Sequence, residues 1–282
     1  MLNYVRNDVS YFQAAGVGNF VGGNVTGFQA AGVFNFAQDV LGFQAAGVFN
    51  QINSIKGTQF AGVYNLVKED ANVQFAGIFN KSENSAIQTA GLFNKSASSP
   101  VQIAGLLNLT QNTGFQISGF LNNADTLRGG QIAGFLNNSR KKSSLQIAGA
   151  INRTKEQASV QVSGLMNTAG HLKGIQLGLL NFADSSSGVS LGLFSFIKKG
   201  YHKLEISADE IFPANIAFRT GTKQFHTFFT AGASGFTAGA STFNANKMLW
   251  NVGYGIGTSL VIRINCYSIS IFRVRRLCTA II

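Results

Sequence analysis

Two patterns of apolar and polar positions divide the chain, and one gives way to the other near residue 200. From residue 11 to about 197 a seven-residue motif recurs: glutamine, a variable residue, a small residue, glycine, two large apolar residues, asparagine. Gln44-Ala45-Ala46-Gly47-Val48-Phe49-Asn50 shows every slot. Successive glutamines lie 14 to 16 residues apart, most often 15. From Trp250 to Leu260 strict alternation takes over. Trp250, Val252, Tyr254, Ile256 and Leu260 fall on one side, and Asn251, Gly253, Gly255, Gly257 and Ser259 on the other.

A regular period is read before any single residue. Fifteen residues are too few for a helix pair, and a helix would not tolerate glycine at one fixed slot. Short strands joined by turns fit. Antiparallel neighbours would reverse alternate copies, so one motif repeated in one direction requires parallel stacking. The pattern therefore predicts an all-β chain: a parallel β-solenoid of about 13 coils over residues 11–197, spanning roughly 60 Å at ~4.8 Å per coil. A short antiparallel, barrel-like and truncated β module is predicted over 201–260.

Each slot then has an expected role. The glycine slot is filled by Gly16, Gly32, Gly47, Gly62, Gly77, Gly91, Gly105, Gly119, Gly134, Gly149 and Gly164, and the small residue before it is always Ala or Ser. Glycine allows either a corner with positive φ or close backbone approach. Asparagine stands at Asn35, Asn50, Asn65, Asn80, Asn94, Asn108, Asn122, Asn137, Asn152 and Asn167. With the glutamines it is expected to form stacked amide ladders, each side chain donating to one neighbour and accepting from the other. The two large apolar residues are expected to fill a dry core. Toward the end the pattern drifts: Val189-Ser190-Leu191-Gly192-Leu193-Phe194-Ser195 replaces both amides with serine. Terminal coils meet something other than another coil.

In the second module, the alternation around Trp250–Leu260 recurs in Leu204-Ile206-Ala208 against Lys203-Glu205-Ser207, and loosely in 225–234. A strand of ~9–11 residues with one bulky apolar side suits a membrane β-barrel facing lipid, and equally one sheet of a soluble sandwich. Four or five strands fall short of the usual minimum of eight for a closed membrane barrel. Residues 261–282 match neither pattern. They hold four Arg, no acid, and both cysteines, Cys266 and Cys278. They read as an out-of-frame tail or as a basic amphipathic one.

Charge changes the picture little. The net charge is +11, yet residues 1–200 carry 14 Lys/Arg against 8 Asp/Glu and residues 201–260 carry 4 against 3. Without a cation cluster on one face, no nucleic-acid partner is expected. Charged residues make up only 12% of the chain and none falls inside a motif, so the apolar faces require cover from the chain itself, a partner or lipid. The first eight residues lack the apolar stretch of a signal peptide, and no run of 18 apolar residues could form a transmembrane helix.

The repeat resembles that of the bacterial surface repeat-containing proteins of Gram-negative outer membranes, whose tandem motif reads roughly G-x-Q-x-A-G-x-x-N and precedes a β-barrel-like C-terminal region. The likeness covers about residues 11–197, with Lys203–Glu210 and Trp250–Leu260 similar to the second module. It implies a cell-surface or outer-membrane location and no defined activity.

Candidate chemistry is sparse. Gly188-Val189-Ser190-Leu191-Gly192 matches a nucleophile elbow, but its serine stands in the glutamine slot. His171, His202 and His226 lack metal-site spacing. Gly253-Tyr254-Gly255-Ile256-Gly257 departs from a dinucleotide fingerprint. No catalytic, metal or cofactor residue is expected, and no cofactor. The expected role is a non-enzymatic envelope protein, a rigid spacer or interaction surface with a protein or glycan partner left open and outer-membrane lipid contact through 201–260. An outer-membrane pore or transport-type barrel and a soluble polysaccharide-binding solenoid are the alternatives. The last would expose rows of aromatic rings, whereas the phenylalanines here fall in the motif, where the core calls for them.

Overall fold

The computed structural model describes residues 1–210, 212–234, 249–262 and 265–279, with side chains described to residue 258. It is all-β, with 27 strands among the described residues. The chain forms two compact units, Met1–Gly164 and Leu165–Ile282.

The first unit holds β1 (Leu2–Val5) to β18 (Ile151–Ser163), wound as a parallel solenoid. Each coil supplies two strand segments. One carries the glutamine, such as β6 (Asp39–Ala46), β8 (Ser54–Ala61) and β10 (Asp70–Ala76); the other carries the asparagine, such as β7 (Phe49–Ile52) and β9 (Tyr64–Val67). Equivalent slots stack in register: Gln44 pairs with Gln59, Ala46 with Ala61, and Asn50 with Asn65. From β15 (Leu107–Ser118) onward the two segments join into strands of 12 or 13 residues. The array also begins one half-coil before the first complete motif. β1 pairs with β3 (Gly18–Val21), and Asn3 occupies an asparagine slot, donating to Asn19 at 2.9 Å.

The core differs from the expected one. Within a strand, side chains alternate between faces. Glutamine and the small residue two places on therefore point inward together, and asparagine points inward across the corner. Gln29 to Gln161 and Asn19 to Asn152 are fully buried. The large apolar residues flanking them point outward, so they do not form a dry core. In the first coils the apolar interior comes instead from residues near the opposite corner: Val21, Val25, Val40, Ile52, Ile55, Val67 and Ala71. Further along, Ser82, Ser96 and Thr110 take the slot of Ile52 and Val67.

The amide ladders form, and they run in opposite directions. Each asparagine donates toward the next coil, as Asn50 Nδ2 does to Asn65 Oδ1 at 2.9 Å. Each glutamine donates toward the previous one, as Gln59 Nε2 does to Gln44 Oε1 at 2.7 Å. The second asparagine proton goes to a backbone carbonyl, Phe60 O in the case of Asn50. Buried amides are costly without partners, so these ladders are what allow polar residues to fill the interior.

The motif glycines serve close approach rather than positive φ. A Cβ on Gly47 would run into the carbonyl oxygen of Gly32, and one on Gly105 into that of Gly91. Positive φ occurs elsewhere, in the column Gly27, Gly42 and Gly57.

The second unit contains two further coils, those of Gln176 and Ser190, in β19 (Met166–Leu177) to β22 (Phe194–Ile197), again parallel. An antiparallel five-stranded sheet follows: β23 (Tyr201–Ser207), β24 (Ala214–Gly221), β25 (His226–Ser234), β26 (Leu249–Ile262) and β27 (Asn265–Thr279). The change from parallel coils to antiparallel strands thus falls between Ile197 and Tyr201, while the last two coils group with the sheet. Most of the atypical tail forms β27, paired with β26; residues 263–264 and 280–282 lie outside the described residues.

The sheet covers the final coil within this unit. Tyr254 donates its hydroxyl to Gly192 O at 2.8 Å, His202 Nε2 lies 2.8 Å from Ile197 O, and the Phe194 and Phe229 rings are 6.0 Å apart. The serine substitutions fit this end position: Ser190 donates to Gln176 Oε1 at 2.7 Å and so ends the glutamine ladder, while Ser195 turns to Ser190 O at 3.2 Å and Asn181 donates to the backbone carbonyls of Gly178 and Leu191.

Candidate functional site

The repeat asparagines singled out in the sequence are buried scaffold, and the repeat glycines lie exposed along the corner, each from Gly32 on packed against the glycine carbonyl of the coil before. The structure brings both sets together in columns and leaves no asparagine side chain available to a ligand. What those columns position is the outer surface of the motif. In the first unit four outward columns run side by side around the Ala-Gly corner: the residue before glutamine, the residue after it, and the two after glycine. They hold no charged residue, and their only hydroxyls are those of Thr58, Thr89 and Tyr64. Leu106 is 48% exposed, Phe120 50% and Phe135 43%, with Phe60, Ile78 and Ile103 close behind. Eleven rungs at ~4.8 Å make a stripe roughly 50 Å long. Such a stripe exceeds the apolar patches that soluble monomers ordinarily expose.

Aromatic residues in these columns stack on one another. The Phe28 and Phe43 rings are 5.0 Å apart at 2°, Phe49 and Tyr64 4.9 Å at 6°, and Phe120 and Phe135 5.1 Å at 4°. Exposed aromatic rows therefore exist, contrary to the sequence expectation that the core absorbs them. Their faces, however, are covered by neighbouring rings, and edges point outward. A sugar ring stacks on an aromatic face, so these ladders make a poor saccharide platform.

Charge is confined to the rest of the perimeter. The acids of the first unit, among them Asp39, Glu69, Asp70, Glu83 and Asp125, occupy the opposite corner or the strand ends beside it. Basic residues reach the border of the stripe: Lys81, Lys95 and Arg153 follow the motif asparagine directly, in a column without acids.

The sheet of the second unit has its own inverted pattern. On β26, Trp250, Val252 and Ile256 are exposed while Asn251, Gly255 and Gly257 are buried. Cross-strand neighbours extend the exposed apolar side through Ile206, Ile216 and Ala231, which with Trp250 and Val252 line an open groove of about 390 Å³. The apolar side meets the final coil at Tyr254 and Phe229, and the opposite side, largely buried, carries most of the polar groups. Among the described residues both amide atoms of Asn251 and the Thr230 hydroxyl have no hydrogen-bond partner.

Lys203, Glu205, Arg219 and His226 meet on that polar side. Arg219 donates Nε to Glu205 at 2.9 Å, its Nη1 lies 3.2 Å from His226 Nε2, and its guanidinium sits over the Phe228 ring at 5.2 Å. Burial, then the Arg219 charge, lowers the His226 pKa from its ordinary value. Burial alone would raise Glu205, but hydrogen bonds from Lys203 and Arg219 outweigh it and hold the carboxyl below the usual range. The arrangement is a buried histidine held beside the Glu205–Arg219 ion pair.

The remaining candidates stay apart. Ser190 is buried in the ladder, and His171 pairs with Ser185 at 2.8 Å. No cluster of three metal-ligating side chains exists among the described residues. Sequence reasoning missed the exposed columns, although the signal for two of them was present: glutamine and the small residue share one face, which forces the residues on either side of glutamine onto the other. No protein-family model, curated protein or solved structure matches the chain.

Proposed function

We propose that the protein is a non-enzymatic repeat protein of the bacterial cell envelope, in which the solenoid is a rigid spacer presenting an interaction surface. The observation that carries this reading is the division of the coil perimeter into an uncharged apolar corner and a charged opposite one, repeated over eleven rungs. A laddered interior makes the surface stiff, and a stiff, unusually long apolar stripe is suited to contact rather than to chemistry. The likeness of the repeat to surface repeat-containing proteins supports the envelope location. Protease treatment of intact source cells, with peptide mapping, tests it. Release of peptides from the charged corner around Lys68–Asp70 and Arg140–Lys142 is expected; recovery of the chain only from the cytoplasmic fraction overturns the reading.

A second reading, lipid contact through residues 201–260, is favoured by the apolar-out, polar-in alternation of the sheet. Five strands do not close a membrane barrel, so this reading is of a contacting face. Replacing Trp250 and Val252 with Asp should abolish any vesicle flotation that depends on the sheet; unaltered flotation removes this reading.

A further inference from the structure

The apolar corner of the first unit needs an occupant, and we infer that it is the surface of an anionic lipid bilayer, against which the solenoid lies lengthwise. The inference rests on reading this corner as an interaction surface.

Three observations select lipid over a protein partner or a second copy. First, protein interfaces carry about one hydrogen bond per 100–200 Å². Four columns over eleven rungs offer three hydroxyls and no charge, too few for a folded partner. Second, the columns keep apolar character but not shape. The residue after the motif glycine runs from Val48 through Ile78 and Leu106 to Phe120 and then Ala150. A rigid partner must match each step, and zipper-like pairing of two copies requires regular interdigitation. Acyl chains and headgroups conform to any of these. Third, the basic border complements anionic headgroups. Lys81 and Lys95 are exposed beside the stripe, where their alkyl stems can lie along the apolar surface with the ammonium groups at phosphate level. The acids are held on the far corner, away from the contact.

The chain provides separate probes for the two units, because its only tryptophan, Trp250, lies in the sheet. The test places a tryptophan in the corner by Phe120→Trp in a Trp250→Phe background. Fluorescence is read with vesicles of phosphatidylcholine, with and without phosphatidylglycerol, and with brominated acyl chains as quenchers. Circular dichroism checks the fold. The expected result is a blue shift and bromolipid quenching at position 120, dependent on phosphatidylglycerol and weakened by salt. Lys81→Gln and Lys95→Gln should each lower vesicle affinity roughly fivefold. If the unsubstituted chain shifts through Trp250 while position 120 stays unquenched, lipid meets only the sheet and the inference falls. If position 120 shifts with protein concentration in the absence of lipid, the occupant is a second copy and it falls equally. No change under any condition also overturns it. The envelope reading fails separately, if quenching occurs but peptides are found only in the cytoplasm.

Discussion

At the scale of single residues, the interior amides carry the largest consequences. Asn108 accepts from Asn94 at 3.0 Å and donates to Ile117 O at 2.7 Å and to Asn122 at 2.9 Å. Asn108→Leu fits the volume but leaves an amide proton, a carbonyl and an amide oxygen unpaired in the interior. A loss of about 2–4 kcal/mol is expected, with faster amide exchange centred on residues 94–122. A denaturation midpoint equal to that of the unsubstituted chain would rule out the ladder as a stabilising element. Ser118 makes the converse case. It stands in the small-residue slot with a buried hydroxyl that has no partner. Ser118→Ala should therefore raise stability by roughly 1 kcal/mol, measured by chemical denaturation. Gly105→Val drives a side chain into the Gly91 carbonyl and should cost more than about 2 kcal/mol, read as a lowered unfolding midpoint.

At the scale of elements, repetition made the solenoid legible and alternation made the sheet legible. One motif in one direction forces parallel stacking, and the regular spacing of glutamines sets coil length without reference to tertiary contacts. The facing of side chains was harder to read. Hydrophobicity alone assigns Phe49, Leu106 and Phe120 to the interior, whereas alternation puts Phe49 outside once Asn50 is inside, and Leu106 and Phe120 are outside because they fall in the corner between strands, where alternation from Gln102 and Gln116 is broken. The ladder makes this inversion possible, because paired amides cost little to bury. Asn3 escaped notice because its half-coil lacks the glutamine and glycine that mark the motif. The cover on the last coil was foreshadowed only by the change of Gln and Asn to Ser190 and Ser195. Tyr254→Phe tests that cover. It removes the 2.8 Å bond to Gly192 O and should cost about 1 kcal/mol, with amide exchange around 189–197 accelerating while β6 to β9 remain as protected as before.

At the scale of the whole molecule, the two units differ in how they can respond to their surroundings. All three histidines lie beyond residue 164, so the first unit has no side chain whose ordinary pKa is near neutrality. In the second unit His226 is 1% exposed and its pKa is depressed by burial and by Arg219. The unfolded chain therefore binds a proton more readily than the folded one. Above the ordinary histidine value of 6.5 the full contribution to stability is present; below it, stability falls as pH drops toward and through the folded value, by at most about 1.4 kcal/mol per pH unit. Between pH 7.5 and 5, hydrogen exchange corrected for intrinsic rates should accelerate in residues 201–234 and stay constant in 25–120. His226→Gln should flatten the response of the sheet. Equal acceleration in both regions would mean that carboxylates rather than this histidine govern acid sensitivity. Constancy in both would mean that the cost of protonating His226 is met by rearrangement around Arg219 and Glu205. With the expected result, an acidic surrounding loosens the sheet selectively and leaves the laddered coils, with their apolar corner, intact.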